Sequence, residues 1–328
     1  MSQWTRLLQL LTALARYACV APAQTASNKP PPHIILHLAD DLGWHNVGWS
    51  GNQEARTPHL DELAMSGVRL ERLYTFKYCS PTRSSIMSGR LPIHVEQNNQ
   101  NNDILNAGGA DLRMTLLPAT LKKAGYSTAM TGKWHVGARS TANLPINRGF
   151  DSHLGFLKGG EDHFTQHGGQ AGGVDLWRNH APAYGRNGTY SVYLYGGEAV
   201  RVIQSHAATS TGPLFVYVAW QASHAPLEAP DRFQKLEKFD TKAGTRGKMN
   251  ALVAALDEGV SNVTKALKAT GLWDNTLLIF QADNGGWTKF NNLGGNNYPL
   301  RGGKGSDFEG GIRKPPLRTP ERACVCSP

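Results

Sequence analysis

Apolar positions in this chain gather in short, nearly continuous runs separated by longer amphipathic stretches. His33 to Ala39, Gly125 to Thr131, Leu214 to Trp220 and Thr276 to Ala282 lack the polar alternation of a half-exposed sheet. Such runs read as strands buried on both faces, the habit of parallel sheets covered by helices. Between them lie helix signals. Thr57 is placed as an N-cap with Pro58 in the first turn, Leu60, Leu63 and Ala64 at helical spacing, and Gly67 as the stop. A second helix is predicted from Pro118 to near Gly125. The longest runs from Lys248 to Thr270, where Met249, Leu252, Val253, Leu256, Val260, Val263 and Leu267 form one apolar stripe that reads as core packing. Alternating strands and helices predict an α/β sandwich. Asn98 to Asn102 and Gly159 to Gly173 are polar or Gly-rich and are expected to be long surface loops; no internal repeat is visible.

Composition narrows this picture. At 328 residues the chain can form one large or two medium domains, and it has the make-up of a folded protein. Its formal charge of +9 comes without a long Lys/Arg run, zinc-finger spacing or helix-turn-helix pattern, so no nucleic-acid partner is expected. An anionic substrate and plain solubility both account for the charge. Near the start, the apolar run Leu7 to Ala15 lies after Arg6 and before Ala21-Pro22-Ala23, which resembles a secretory signal over residues 1–25. Arg16 interrupts that stretch and leaves an amphipathic transit peptide as the alternative. No other segment could span a bilayer, so no stable membrane insertion is expected. Cys19 falls in the signal, and Cys324 and Cys326 fall in the last five residues. Cys79 is then alone in the core, and no disulfide framework can be built there. Asn187-Gly188-Thr189 and Asn262-Val263-Thr264 are glycosylation sequons compatible with secretion.

Candidate chemistry follows the predicted strands. Asp40-Asp41 follows the first, His224 lies beyond the third, and Asp283-Asn284-Gly285-Gly286 follows the last. In open α/β sheets the ligand sits at the carboxyl ends of strands, where distant segments can converge. Adjacent carboxylates after an apolar strand are costly unless a cation or several donors compensate. Asp40, Asp41, Asp283 and Asn284 offer only oxygen, which suits Ca²⁺ or Mg²⁺ better than Zn²⁺. The alternative is a helix cap at Asp40-Asp41 and a turn at Asp283-Asn284-Gly285. In Gly132-Lys133-Trp134-His135, an extended backbone would point Lys133 and His135 the same way with Trp134 behind. Cys79-Ser80-Pro81-Thr82-Arg83 precedes a short helical stretch, Ser84 to Ser88, ending at Gly89-Arg90. A helix N-terminus favours negative charge, which suits a reactive thiolate or a group that must meet an anion. A buried structural cysteine is the plainer reading of Cys79 by itself.

Taken together, these residues resemble the type I, formylglycine-dependent sulfatases, most like arylsulfatases of the B, I and J kind. The family signature C-x-P-S/T-R with a following Gly-Arg is met by Cys79 to Arg90, and Gly-Tyr-x-Thr-x-x-x-Gly-Lys-Trp-His by Gly125 to His135. Ala39 to Trp44, Thr57 to Asp61, and Asn296 to Gly311 with Leu300-Arg301-Gly302-Gly303-Lys304 also match. The resemblance implies an alkaline-phosphatase-like fold, a mixed, largely parallel sheet sandwiched by helices, with the catalytic domain over 32–313. It implies hydrolysis of sulfate monoesters of a sulfated sugar or aryl alcohol. Cys79 would become formylglycine through a formylglycine-generating enzyme in the secretory pathway, for a lysosomal or extracellular product. Asp40, Asp41, Asp283 and Asn284 would hold Ca²⁺, ahead of Mg²⁺, together with the modified Cys79. Lys133, Lys304 and Arg83 would fix sulfate and the aldehyde hydrate, His224 and Lys304 would lie near the leaving oxygen, and His135 near the second hydroxyl.

The family pattern continues after Gly310-Gly311-Ile312-Arg313 with further strands and a smaller C-terminal domain. Here residues 314–328 read as a Pro/Arg-rich tail with Cys-x-Cys and no strand pattern. A truncated or aberrant chain is expected, with an unpaired sheet edge where strands are missing. Two rivals stand beside the hydrolase reading: an inactive truncated sulfatase-like product that folds poorly or merely binds sulfated glycans, and a phosphate or phosphonate hydrolase. Cys79 with Pro81 and Arg83, and the all-oxygen metal set, argue against the second.

Overall fold

The four apolar runs become neighbouring parallel strands of one sheet in the computed structural model, which describes residues 30–95, 109–168, 173–236, 244–288, 293–315 and 317–318. The first half of the chain carries β1 (His33–Ala39), α1 (Pro58–Ser66), β2 (Val68–Arg69), α2 (Cys79–Ser88), α3 (Leu117–Lys123), β3 (Ser127–Lys133) and β4 (Ser152–Phe156). Four two-residue strands follow: β5 (His167–Gly168), β6 (Gly173–Val174), β7 (Trp177–Arg178) and β8 (Ala181–Pro182). Then come α4 (Ser191–Thr209), β9 (Leu214–Ala219), α5 (Asp231–Gln234), α6 (Thr245–Ala269), β10 (Thr276–Ala282), α7 (Glu309–Ile312) and β11 (Leu317–Arg318).

Among the described residues the sheet order is β2-β11-β10-β1-β9-β3-β4-β7-β8, and β5 pairs with β6 separately. The five central strands, β10 to β4, are parallel, and the flanking pairs are antiparallel. Side chains of β1 alternate between two apolar layers: Ile35 joins Leu60, Ile203, Leu252 and Leu256 on one face, while Leu36 and Leu38 join Met87, Phe150 and Tyr217 on the other. Helices therefore cover both faces, which explains the unbroken apolar runs. Among the described residues no helix is long and apolar enough to cross a membrane.

Several boundaries differ from the sequence reading. β3 starts at Ser127, not Gly125, because Gly125 (φ +88) and Tyr126 close the end of α3, their N–H groups donating to Lys122 O and Leu121 O. Thr57 is the N-cap residue of α1, yet its side chain caps no backbone N–H; its Oγ1 donates to Asp61 Oδ1 at 2.9 Å. The N–H groups of His59 and Leu60 go instead to Asp257 in the middle of α6, at 3.2 and 2.7 Å. Nothing in the sequence reading announced α4, whose Gly196-Gly197 looks like a helix breaker. Gly196 and Gly259 of α6 are small because Trp220 lies between them, 3.1 and 2.9 Å from where a Cβ would stand.

Two expectations are corrected. The stretch Gly159 to Gly173 is not simply a surface loop: Glu161, His163 and Gln166 are buried, and Tyr195 donates to Glu161. These three side chains are turned inward and hydrogen-bonded, a state that composition cannot reveal. The tail, read as having no strand pattern, contributes β11. Leu317 is wholly buried and pairs with Phe280 of β10 and Arg69 of β2, so the outer edge of β10 is paired there. A two-residue strand is too short to leave a periodic signal. The expected signal over 1–25, Asn98 to Asn102, Cys19, Cys324 and Cys326 lie outside the described residues.

Candidate active site

Strand register brings the polar clusters together. Ala39 of β1 is level with Ala282 of β10, so Asp40 and Asp283 leave the sheet side by side, and the Asp283 N–H donates to Ala39 O at 3.0 Å. Leu38 and Gly132 are both level with Ala219 of β9, which sets Lys133 beside the same rim. Gly132 (φ +89) permits this approach, since a Cβ there would stand 1.9 Å from Ala219 O. Cys79 opens α2 rather than preceding its helix, and Arg83 follows one turn later on the same face.

The site is a buried set of alternating charges. Lys133 Nζ donates to Asp40 Oδ2 at 2.5 Å, and Lys304 Nζ lies 2.6 and 2.8 Å from the two oxygens of Asp41. Arg83 donates to Asp283 Oδ2 through Nε at 3.0 Å and Nη2 at 2.8 Å, and its Nη1 reaches Lys133 O at 3.1 Å. Cys79 Sγ lies 3.4 Å from Asp40 Oδ1 and 3.9 Å from Asp41 Oδ1. Asn284 Nδ2 donates to Asp41 Oδ1 at 2.7 Å, and His224 Nε2 is 3.8 Å from Asp41 Oδ2. No helix follows Asp40-Asp41, so the capping alternative does not describe them.

Each charge is set by its neighbours. Burial, then the Asp283 carboxylate, push the Asp40 carboxyl up to about 7, against the pull of Lys133 and Arg83. Burial also pushes Asp41 and Asp283 up, but Lys304 and His224 at the first, and Arg83 and Lys133 at the second, outweigh it and hold both below the usual carboxylate range. The Cys79 thiol is driven far up by burial and then by Asp283 and Asp40. Burial and these carboxylates thus disfavour a thiolate at a helix start that would otherwise favour an anion. Burial, then Lys133, Arg83 and Lys304, keep the His135 ring neutral, and neither of its nitrogens has a hydrogen-bond partner among the described residues. His224 is lowered to about 3 by burial and Lys304, despite Asp41.

His135 reaches the pocket by a different route from the one expected. β3 ends at Lys133 and His135 takes a left-handed φ of 52°, uncommon outside glycine, so strand alternation does not orient it. Trp134 packs behind as expected, wholly buried, with Nε1 donating to Gly137 O and Asn143 O. Sequence reasoning missed His163, which binds His224 O through Nε2 at 3.0 Å and Ser191 Oγ through Nδ1 at 2.7 Å. It also missed Trp287, whose ring centroid is 4.8 Å from Lys304 Nζ. Its place directly after Asp283-Asn284-Gly285-Gly286 was the available signal.

A hard cation fits these residues. Asn284 Oδ1 is buried beside Asp41 without a hydrogen-bond partner among the described residues, an oxygen left over after the side-chain pairing. Asp40, Asp41, Cys79 and His224 offer ligand atoms all within 4.8 Å of one another. Asp283 is turned to Arg83, and its other oxygen accepts the Asp41 N–H at 3.2 Å.

The chain has sulfatase relatives. It is 39% identical over 296 residues to arylsulfatase J of Mus musculus, covering 89% of this chain and 48% of that protein. It is 33% identical over 332 residues to N-acetylgalactosamine-6-sulfatase of Mus musculus, covering 95% and 60%. The chain thus spans about half to three-fifths of the length of these curated relatives. Among solved structures, Ps i-CgsB in complex with k-i-k-neocarrahexaose matches with a TM-score of 0.80 and 32% identity over 88% of this chain and 66% of that one. The architecture is the alkaline-phosphatase-like fold of sulfatases. The Sulfatase family's sequence profile matches residues 32–317, which takes in every residue of the buried charge cluster as well as Leu317 of β11. With this architecture, these ten converging side chains and that match, the chain belongs to the sulfatase family.

Proposed function

We propose that this chain is the catalytic region of a sulfuric ester hydrolase that acts on a sulfated carbohydrate through formylglycine made from Cys79. The observation that carries this reading is the position of Cys79 Sγ, 3.4 Å from Asp40 and buried among three carboxylates and three cations. A thiolate is disfavoured there, whereas a neutral group with two hydroxyls is well served by acceptors and cations. Formylglycine at position 79 would supply, as its hydrate, one hydroxyl to attack sulfur and another through which the aldehyde re-forms. Asp40, Asp41, Asp283 and Asn284 would hold Ca²⁺, which would supply a hard positive charge against sulfate oxygens.

The chain's own residues do the rest. Lys133 and Arg83 orient the sulfate and the hydrate from the floor of the pocket, where charge stabilisation needs no reorganisation. His224 and Lys304 face the leaving oxygen. Neutral His135, whose ring nitrogens have no partner among the described residues, takes the proton of the second hydroxyl. A sulfated sugar is favoured by the names of relatives: an N-acetylgalactosamine-6-sulfatase and a structure holding a neocarrahexaose. The signal-like residues 1–25 and the sequons favour the secretory pathway, where a formylglycine-generating enzyme would act on Cys79 before folding.

The test is mass spectrometry of the peptide spanning Cys79, from protein made with the generating enzyme, alongside turnover of a chromogenic aryl sulfate. Conversion of the thiol to an aldehyde and turnover lost in Cys79→Ala are expected. An unmodified cysteine in such material, or turnover that survives Cys79→Ala, would sink the proposal.

A further inference from the structure

We infer that Trp287 is a positioning residue for Lys304, holding its ammonium where it can neutralise the oxygen released when a sulfate ester is cleaved. The inference rests on the hydrolase reading. Lys304 Nζ is held between two unlike partners, the Asp41 carboxylate at 2.6 and 2.8 Å and the Trp287 ring with its centroid at 4.8 Å. Indole is the best cation–π partner among side chains, and the attraction grows as the ammonium loses water; Lys304 is 7% exposed.

The backbone pins this arrangement. The Lys304 N–H donates to Gly286 O at 3.2 Å, one residue before Trp287. Asn297 clamps the same residue from the other side, its Nδ2 donating to Gly286 O at 3.0 Å and its Oδ1 accepting the Gly286 N–H at 2.9 Å. A Cβ on Gly303 would stand 2.5 Å from Gly286 O, so the two segments are in direct contact. Ring and ammonium are therefore fixed by one backbone junction.

The chemical consequence follows from what each partner takes. A carboxylate accepts hydrogen bonds from the ammonium, whereas an aromatic face stabilises its charge without a strong acceptor atom. Lys304 thus remains charged and retains an N–H for another oxygen. Without the ring that side of the ammonium opens to water, and charge on a departing alkoxide is less well met. Esters of weakly acidic alcohols, such as sugar hydroxyls, need this help most; esters of acidic phenols need it least.

The experiment compares wild type, Trp287→Ala and Trp287→Phe on a monosaccharide sulfate and on an aryl sulfate with an acidic phenol, with thermal unfolding as the folding control. Trp287→Ala is expected to lower kcat on the sugar sulfate by about tenfold, the factor that corresponds to a cation–π contact of ordinary strength. Loss on the aryl sulfate should be clearly smaller, and Trp287→Phe should recover most of the difference. Equal losses on both esters in folded Trp287→Ala, or no recovery with Phe, would overturn the positioning role while leaving the hydrolase reading intact. Wild type that turns over neither ester would overturn the hydrolase reading itself, and the inference with it.

Discussion

Arg83 engages Asp283 with two nitrogens, Nε at 3.0 Å and Nη2 at 2.8 Å, and both side chains are completely shielded from solvent. The geometry joins α2 to the end of β10 directly beneath Cys79. Removing one partner of such a pair leaves a buried charge uncompensated, at a cost of about 3–5 kcal/mol. Arg83→Met is expected to lose stability on that scale in urea unfolding and to abolish sulfate ester turnover. Adding Asp283→Leu should restore much of the stability and none of the activity. Full stability in Arg83→Met by itself would contradict the pairing.

Calcium should stabilise the folded chain through Asn284 and the carboxylates. At a hundredfold excess over the dissociation constant, a site present only in the native state contributes about 2.7 kcal/mol. A rise in Tm on adding Ca²⁺, reversed by a chelator and absent in Asn284→Ala, is the expected pattern. An equal rise in wild type and Asn284→Ala would remove Asn284 from the ligand set.

Asp257 gives the fold a pH dependence unrelated to the charge cluster. Burial pushes its carboxyl up to about 7, against the N–H groups of Leu60 and His59 that pull it down. From about pH 4, the ordinary aspartate value, to about 7, the folded state therefore binds more protons than the unfolded one. Stability should fall as pH rises through that window and level off above it. Asp257→Asn should lessen the slope of this part of the Tm profile, to which Asp40 also contributes, and an unchanged slope would show that Asp257 does not cause it.

Leu317 tests whether β11 is part of the core. It is wholly buried against β10, and truncating such a leucine to alanine costs about 2–5 kcal/mol. Leu317→Ala should shift the urea midpoint by an amount in that range. A midpoint unchanged by the substitution would place Leu317 outside the cooperative unit.

The legibility of this chain followed the physical origin of each signal. Buried parallel strands leave continuous apolar runs, so β1 and β10 were readable to their ends. The acidic pairs were readable because adjacent carboxylates after an apolar strand are costly unless compensated, whereas Cys79, Arg83, Lys133 and Lys304 were readable through the sulfatase-like motifs that contain them. α4 was hidden by Gly196-Gly197, whose smallness answers to Trp220, a residue distant in sequence. The same holds for the cap of α1, supplied by Asp257 about 200 residues away, and for the left-handed turn that carries His135. Sequence periodicity records local preference; these three features are imposed by tertiary contacts.

Cys79 is enclosed by residues that are synthesised long after it. The partner of Arg83, Asp283, lies 200 residues downstream, and Lys304 comes later still. Because β1 must wait for β9 and β10 on both its sides, the central sheet cannot close early. At ribosomal rates of about 5–20 residues per second, the interval is on the order of ten to forty seconds. Topology thus acts as a timer: under the proposed function, a modifying enzyme would find an open substrate at Cys79 throughout that interval and a sealed one afterwards.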